Sequence, residues 1–387
     1  MKILILGADG YLGWPTTMHF ANIGHEVFAV DNLSKRKIEN EYGIEPINEV
    51  KLFQERVKIW NKNQKNQINY QIADLLNYKV LYQILSEFKP DTIIHYAEQP
   101  SAPYSMADRE KAVFTQYNNV IGNLNLLFAM KKYCPDSHLV KLGTMGEYGT
   151  PNIDIEEGWL SINHNGREDR VLYPKKPGSF YHLSKVHDSA NIEFTCRVWG
   201  LKCTDLNQGF VYGISTKEID FDFKNLSTSF HYDAIFGTII NRFISQIAVK
   251  QPMSVYGKGN QKRAFLNIQD TIKCVKIATE NPPKKGEFRV FNQFTEFCTL
   301  NEMAENIKKY GENKNLNPQI AHVLNPRIEE ENHYYNPKNT SLISLGLNPI
   351  KFNEEEIDKI FKVVQKYKDK INLETLNPVN SIKWNSN

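Results

Sequence analysis

Residues 2–13 read KILILGADGYLG and decide the fold, because the mostly apolar run Lys2–Leu6 leads directly into a loop with glycine at every third position. A short buried strand is predicted for this run, and a helix is predicted from about Leu12 to Ile23, with Gly24 as its C-cap. Glycines between a strand and a helix let the backbone approach a pyrophosphate closely. The helix N-terminus adds unpaired N–H groups and the positive end of the helix dipole. The segment therefore predicts a dinucleotide-binding turn.

The alternation of strand and helix continues through the first half of the chain. After Glu26–Val30, further strands are predicted at Ile68–Ile72, Thr92–His95 and His138–Leu142. Helices are predicted at Val80–Phe88, Ala112–Tyr133 and Tyr181–Trp199. Strands that alternate with helices form parallel sheets covered on both faces. We therefore expect an α/β fold: a Rossmann-type doubly wound parallel sheet with a smaller C-terminal α/β substrate-binding domain.

Two departures from this alternation indicate the domain organisation. Residues 35–67 are rich in Lys, Asn and Glu, with one amphipathic stretch around Val50–Trp60, and we interpret them as an insertion of helix and loop. In the second half of the chain the loops lengthen and Pro, Gly and Tyr become more frequent. We predict a dinucleotide-binding domain at residues 1–206 and a substrate-binding domain at residues 207–387, with residues from about 265 to 292 returning to the first domain.

Composition excludes several classes of protein. The net charge of +3 over 387 residues argues neither for nor against a nucleic-acid partner, but the sequence has no basic patch, so no such partner is expected. The five cysteines have no C-x-x-C spacing, so neither a disulfide framework nor a metal site is expected. No apolar run approaches the roughly 20 residues that span a bilayer, so no membrane partner is expected. Because the first strand begins at Lys2, we expect no targeting peptide and a cytoplasmic location.

Asp31 ends the second predicted strand, where a carboxylate accepts hydrogen bonds from the adenosine ribose. It would repel a 2′-phosphate, which favours NAD over NADP, although Lys35 and Arg36 nearby weaken that preference. A solvated acid at a strand end is the alternative. Asp74, after the third strand, is either an adenine ligand or a plain loop residue. The residues predicted to bind NAD are Gly7, Asp9, Gly10, Tyr11, Leu12, Gly13, Asp31, Asn32, Arg36, Asp74, Leu75, Ala97, Asn119, Tyr181, Lys185 and Val211.

Tyr181 and Lys185 are four residues apart and share one face of a predicted helix. A tyrosine is a poor base, with an unperturbed pKa of about 10. A neighbouring ammonium and the nicotinamide charge favour its phenolate, which then takes a hydroxyl proton while hydride leaves the sugar carbon. Thr144, just after a predicted strand, is expected to orient the substrate oxygen, unless it is simply a turn residue.

Together these residues make the chain similar to the extended short-chain dehydrogenases/reductases that act on nucleotide sugars. Asn119-Val120-Ile121-Gly122 also resembles the N-V-x-G motif of that class. Several further segments are more specific, and they resemble the UDP-sulfoquinovose synthase family. These segments are Tyr11–Pro15, Glu98–Met106, Lys141–Gly158, Phe180–Ser189, Asp205–Gly209, Tyr256–Gly259, Val290–Glu296 and His333–Asn336.

The resemblance implies a reaction in which UDP-glucose and sulfite give UDP-sulfoquinovose and water. Bound NAD oxidises the sugar at C4, and the ketone acidifies the C5 proton so that water is eliminated from C6. Sulfite then adds to the 5,6-double bond at C6, and the hydride returns to C4. Because NAD is regenerated, it is expected to stay bound.

Elimination at C6 needs an acid and a base. The related 4,6-dehydratases have an Asp-Glu pair directly after the catalytic threonine, whereas this chain has Met145 and Gly146 there and Glu147 one place later. Glu147 and His182 are the candidates for the acid and the base. A salt-bridged loop acid and a packed histidine are the alternative interpretations, and Met145 is expected to form an apolar wall.

The resemblance also implies a set of UDP-sugar ligands. Arginine binds phosphates bidentately, and Arg263 and Arg327 resemble the two phosphate-binding arginines of the class. Tyr256 is expected to flank the uracil and Thr238 to bond it, and Gln208 completes this substrate set.

Sulfite needs an anion site beside C6. Gln99, Ser101 and Arg109 lie in the loop and helix start after the fourth predicted strand. Because the resemblance is unusually specific in this segment, we predict that these three residues bind sulfite.

Other functions remain open at this point. A 4-epimerase or 4,6-dehydratase would form product without sulfite, and a non-catalytic NAD-sensing protein would normally lose the Tyr181–Lys185 pair. The predicted helices Ala112–Tyr133 and Tyr181–Trp199 are apolar on more than one face. In this class such a pair builds a dimer interface, so a homodimer or a dimer-based oligomer is expected, although core burial explains the same pattern.

Overall fold

The fold was analysed in a computed structural model that describes residues 1–327 and 333–377 together with Ile382 and Trp384. Its strands are β1 (Lys2–Leu6), β2 (Glu26–Asp31), β3 (Ile68–Ile72), β4 (Thr92–His95), β5 (His138–Thr144), β6 (Trp159–His164), β7 (Arg167–Leu172), β8 (Lys202–Gln208), β9 (Phe210–Tyr212), β10 (Met253–Tyr256), β11 (Lys262–Asn267), β12 (Phe288–Gln293), β13 (Glu296–Thr299) and β14 (Ile320–Val323). Its helices are α1 (Gly13–Asn22), α2 (Ser34–Tyr42), α3 (Phe53–Asn63), α4 (Tyr78–Phe88), α5 (Ala102–Ser105), α6 (Arg109–Gln116), α7 (Gly122–Tyr133), α8 (Phe180–Trp199), α9 (Phe223–Leu226), α10 (Ile239–Ala248), α11 (Ile268–Glu280), α12 (Leu300–Asn313), α13 (Thr340–Ser344), α14 (Glu354–Lys366) and α15 (Leu373–Leu376).

The central sheet has seven strands in the order β12-β8-β5-β4-β1-β2-β3, and every pair is parallel. The strand order reverses at β1, where the chain first winds outward to β3 and then crosses back to β4. In open parallel sheets, ligands bind outside the carboxyl ends of the strands at such a reversal. The doubly wound fold predicted from the sequence is confirmed.

Successive residues of β1 face opposite sides of the sheet, as the strand period of two requires. Ile3 and Ile5 belong to a core cluster that includes Trp14 of α1. Leu4 and Leu6 belong to the cluster on the other face, which contains Leu126 of α7 and residues of α4 and α8. All of these side chains are buried, so both faces are covered by helices.

A separate core lies in the second half of the chain. It is formed by apolar faces of α10, α12 and α14, with Phe243, Met303 and Ile360 at its centre. A three-stranded sheet in the order β13-β11-β9 connects this region to the main sheet, because β9 directly follows β8. The chain later returns to the main sheet through β12, which pairs with β8. The division at residue 206 stays a prediction.

The helix predicted over Ala112–Tyr133 is present, but it is not α-helical throughout. A π-helical turn at Tyr117–Ile121 lies between α6 and α7. This turn directs Asn119 inward, where its amide donates to the Gln99 carbonyl at 3.2 Å and to Ser184 Oγ at 2.9 Å. The π turn rotates one polar residue into the protein while the flanking helices keep their apolar faces.

The predicted insertion consists of α2 and α3 joined by a loop, and Asn48 of that loop donates to Thr228 O at 2.9 Å. All five cysteines are free thiols. Among the residues that the structure describes, no group of His, Cys, Asp or Glu could hold a metal ion. Within the same residues, no helix has the length and apolar character needed to cross a bilayer.

Candidate active site

The glycines of the first loop fit a pyrophosphate. A Cβ on Gly7 would lie 2.6 Å from the Ala97 nitrogen, and a Cβ on Gly13 would lie 1.9 Å from the Gly7 oxygen, so neither site accepts a side chain. Gly10 differs, since a Cβ there would meet only the Gly7 oxygen, at 3.4 Å, and would otherwise point into open space. Leu12, at the N-cap of α1, gives the helix no side-chain cap. The loop therefore offers a cradle and N–H groups to an anion.

Asp31 is anchored rather than solvated. Its carboxylate accepts hydrogen bonds from the Asp9 N–H at 2.8 Å and the Leu33 N–H at 2.7 Å. Burial, followed by the charge of Asp9, raises the pKa of Asp31 to about 6. Asn32 donates to Asp74 Oδ2 at 3.1 Å, so the predicted ribose and adenine ligands lie side by side.

Two arginines hold the Asp9 carboxylate beneath the glycine loop. Arg36 Nε donates to Asp9 Oδ2 at 2.6 Å, which places this predicted cofactor residue next to the loop. Arg56, fully buried in α3, also pairs with Asp9 and lies 4.6 Å from the Trp14 ring. Sequence analysis missed Arg56, because nothing in its local pattern distinguishes it from the exposed basic residues around it.

Three other predicted cofactor residues lie between the glycine loop and the cleft or pack against this region. Ala97 packs its backbone against Gly7, and Val211 of β9 lines the central cleft. Leu75 is buried, and its carbonyl accepts a hydrogen bond from Asn125 at 2.9 Å.

Tyr181 and Lys185 lie together on the first turns of α8. Lys185 Nζ lies 5.8 Å from the centroid of the Tyr181 ring and donates to Leu142 O at 2.6 Å. The same ammonium forms a buried ion pair with Glu98. Burial raises the pKa of Tyr181, and the Glu98 charge raises it further. A cationic group beside the phenol is therefore needed before Tyr181 can act as a base.

Thr144 ends β5 and begins a tight turn that Glu147 closes. Thr144 Oγ accepts the Gly146 N–H at 3.2 Å, and Glu147 accepts the Thr144 N–H at 3.2 Å. Glu147 is fully buried and paired with Lys175. Burial alone would raise the pKa of Glu147, but Lys175 and then Lys141 outweigh it and lower the pKa to about 2. Glu147 does not line the cleft.

His182 lies directly over the backbone of Gly146. A Cβ at Gly146 would come within 2.3 Å of His182 Nε2, so the imidazole occupies the space that a side chain would take. Its Nδ1 lies 3.0 Å from Ser179 Oγ, which orients the ring. Burial, with the charges of Arg327 and Arg263, lowers the pKa of His182 to about 3. The ring is therefore neutral at physiological pH.

A cleft of about 780 Å³ is lined by Thr144, Met145, Tyr181 and His182. The predicted substrate residues also line it: Gln208, Thr238, Tyr256, Arg263 and Arg327. The Gln208 Oε1 and Thr238 Oγ1 atoms are buried and have no hydrogen-bond partner in the described structure. Buried polar atoms are rarely left unpaired, so these two are suited to a ligand.

The described cleft lining contains no carboxylate. Its cations are Lys35, Lys176, Arg242, Lys262, Arg263 and Arg327. Sequence analysis missed Arg242, which is 6% exposed in α10 and lies 5.3 Å from the Tyr256 ring. The sequence signal was available, because an arginine in an otherwise apolar helix needs a partner.

The three residues predicted to bind sulfite do not come together. Gln99 is buried and donates to Ser101 O at 3.1 Å and Thr115 Oγ at 2.8 Å, so its amide stabilises the loop. Ser101 lines the cleft, but its hydroxyl donates to Ile235 O at 2.6 Å. Arg109 is exposed at the start of α6 and lines a second, outer cavity.

Comparisons with known proteins agree with this geometry. The sequence profile described as "NAD dependent epimerase/dehydratase family" matches residues 3–292. The chain is 48% identical to "UDP-sulfoquinovose synthase, chloroplastic" of Spinacia oleracea, over 99% of this chain and 79% of that protein. It is 42% identical to "UDP-sulfoquinovose synthase" of Sulfolobus acidocaldarius, over 96% of this chain and 94% of that one.

Solved structures support the fold. A UDP-glucose 4-epimerase of Thermus thermophilus in complex with NAD aligns with a TM-score of 0.65 at 20% identity, covering 96% of this chain and 100% of that one. A UDP-glucose 4-epimerase of Thermotoga maritima with UDP-glucose aligns with a TM-score of 0.67 at 20% identity, covering 95% of this chain and 99% of that one.

Proposed function

The chain belongs to the NAD dependent epimerase/dehydratase family and, within it, to the UDP-sulfoquinovose synthases, and we propose that it converts UDP-glucose and sulfite into UDP-sulfoquinovose and water. The observation that carries the proposal is the cleft, in which Tyr181 and Thr144 share the lining with six cationic side chains. Guanidinium groups bind phosphates bidentately, so this set is suited to the diphosphate of a UDP-sugar.

The cofactor site belongs to the first domain. When bound, NAD supplies the hydride acceptor for the sugar C4. The cradle at Gly10 and the N-terminus of α1 would hold its pyrophosphate, and Asp31 would accept bonds from its adenosine ribose. Lys185 would hold the nicotinamide end, since it lies beside Tyr181 at the carboxyl edge of β5.

Tyr181 accepts the proton of the sugar O4 as the C4 hydrogen leaves as hydride, and Thr144 orients that oxygen. The closed turn at residues 144–147 fixes Thr144, because the Gly146 N–H bonds to its hydroxyl and Glu147 to its backbone. The reverse transfer from Tyr181 to O4 completes the cycle once the hydride returns to C4.

Of the two residues that sequence analysis advanced for proton transfer at C5 and C6, the geometry favours His182. Its neutral ring lines the cleft beside Tyr181 and is oriented by Ser179. His182 takes the C5 proton and passes it to the departing C6 hydroxyl, which leaves as water. Glu147 instead holds the turn, since its carboxylate is occupied by Lys175 and Ser189.

The decisive experiment is a mass-spectrometric product assay on the purified protein with UDP-glucose, with and without sulfite. We expect a sulfonated nucleotide sugar that appears only with sulfite, and no turnover in Tyr181→Phe. A product of unchanged mass without sulfite would identify an epimerase, and one lighter by water a dehydratase. Bound NAD without turnover under either condition would identify a non-catalytic protein.

We also propose that the protein is a homodimer. On α6, the adjoining π turn and α8, the side chains of Val113, Tyr117, Phe194 and Val198 are apolar and between 49% and 57% exposed. Exposed apolar side chains along such a group of helices are typical of an interface. Light scattering coupled to size exclusion should give twice the chain mass of 44.8 kDa, and Val198→Asp should give the monomer. A wild-type monomer would refute this proposal and leave the activity proposal unaffected.

A further inference from the structure

Glu98 is a buried carboxylate that the proposed mechanism does not use. It lies in the loop after β4 and forms an ion pair with Lys185, and the two side chains are 2% and 3% exposed. Lys185 Nζ also donates to Leu142 O at 2.6 Å, so Glu98 and a strand carbonyl together fix the ammonium. Breaking such a buried pair leaves an uncompensated charge.

Charged and titratable groups surround Tyr181 on every side. Lys185, His182 and Asp188 share α8 with it, Lys141 approaches from β5, Glu147 from the turn that follows, and Glu98 from the loop after β4. Apart from burial, Glu98 has the largest effect on Tyr181 and raises its pKa. Lys141 opposes that effect, and the charges of Glu147 and Asp188 add to it.

Building on the proposed function, we propose that Glu98 is a positioning residue for the oxidation at C4: its carboxylate holds Lys185 in place and offsets the ammonium charge beside Tyr181. Glu98 thereby changes the electrostatics of the Tyr181–Lys185 pair.

This arrangement makes the proton transfer at Tyr181 depend on the charge of the cofactor. Oxidation moves the C4 hydrogen to the cofactor as hydride and the O4 proton to Tyr181, and the final reduction reverses both transfers. With the Lys185 charge offset by Glu98, Tyr181 keeps its proton once the nicotinamide is neutral. The C4 ketone is thereby retained while water leaves and sulfite adds.

The test follows the first half-reaction in the holoenzyme. UDP-glucose is mixed with NAD-loaded protein without sulfite, and the absorbance of reduced nicotinamide is recorded across a pH series. Removing one negative charge from a buried site should lower the pH midpoint of this reaction in Glu98→Gln by about one pH unit. Below the midpoint, cofactor reduction should therefore be faster than in the wild type, while its reoxidation on adding sulfite should be slower.

Asp188→Asn is the matched control. Asp188 is buried in the same cluster, but its charge has a smaller effect on the pKa of Tyr181 than that of Glu98, and burial raises the pKa of Asp188 itself well above the usual range. Its replacement should shift the midpoint much less. Glu98→Ala buries no amide and is the second variant, to be used if Glu98→Gln does not fold. It should show the same shift of the midpoint.

The outcomes separate the two proposals. An unchanged midpoint in both Glu98 variants, or slowing of reduction and reoxidation alike, would overturn the role of Glu98 and identify a purely structural ion pair. No reduced nicotinamide in the wild type would instead contradict the proposed function.

Discussion

Gly146→Ala tests the arrangement of His182 directly. A Cβ at this position would lie 2.3 Å from His182 Nε2, whereas ordinary contacts begin at 3.4 Å, so the ring must move by about 1.1 Å. A displacement of about 1 Å in a reacting group costs on the order of 100-fold in rate. We therefore expect roughly that loss in the formation of sulfonated product, specifically at the elimination step.

The assay separates elimination from oxidation. Cofactor reduction by UDP-glucose depends on Tyr181 and Thr144 and should proceed at nearly the wild-type rate in Gly146→Ala, so reduced cofactor should accumulate. Gly122→Ala is the control, because its Cβ would meet only the Leu75 side chain at 3.5 Å, in a helix where alanine is favourable. Full product formation by Gly146→Ala would refute the placement of His182 at C5 and C6.

Three further predictions follow from the same contacts. The pKa of Glu147 is lowered from 4.5 to about 2. Its ionised form therefore stabilises the fold above pH 4.5, and this contribution is lost as the pH falls towards 2. The melting temperature of Glu147→Gln should be lower than that of the wild type at neutral pH and should fall less on acidification. Thr238→Val should raise the KM for UDP-glucose by roughly 2- to 12-fold with little change in kcat, because it removes one hydrogen bond of about 0.5–1.5 kcal/mol. A lower kcat at unchanged KM would contradict a binding role. Met145→Asp should raise the KM for sulfite far more than Met145→Asn does. Steady-state kinetics at low ionic strength measure both values, and equal increases in KM would show that the charge is irrelevant.

Parts of the site whose residues are close together in the sequence could be predicted. The glycine loop and the Tyr181–Lys185 pair each depend on residues within a few positions of one another, and the structure places both as expected. The alternation of helix and strand also predicted five of the seven strands of the central sheet and their parallel arrangement.

Features that join distant parts of the chain could not be predicted. Arg56 pairs with Asp9 across 47 positions, and Glu98 meets Lys185 across a much longer separation. No periodicity marks either contact. Arg109 is the converse case: it is close in sequence to Gln99, but α6 begins there and carries its side chain to the outer surface.

The replacement of the dehydratase Asp-Glu pair by Met145 and Gly146 has a physical explanation in the charge of the second substrate. In a dehydratase a carboxylate beside C6 meets only a departing hydroxyl. Here an anion must arrive at the same carbon, and a carboxylate about 5 Å away would oppose each of its charges by about 3 kcal/mol at an effective dielectric constant of about 20. Met145 removes that charge, and Gly146 makes room for His182, a neutral group that we propose transfers the protons. In the proposed reaction, the loss of the carboxylate pair and the packing of His182 over Gly146 thus serve one requirement: that an anion be admitted to C6.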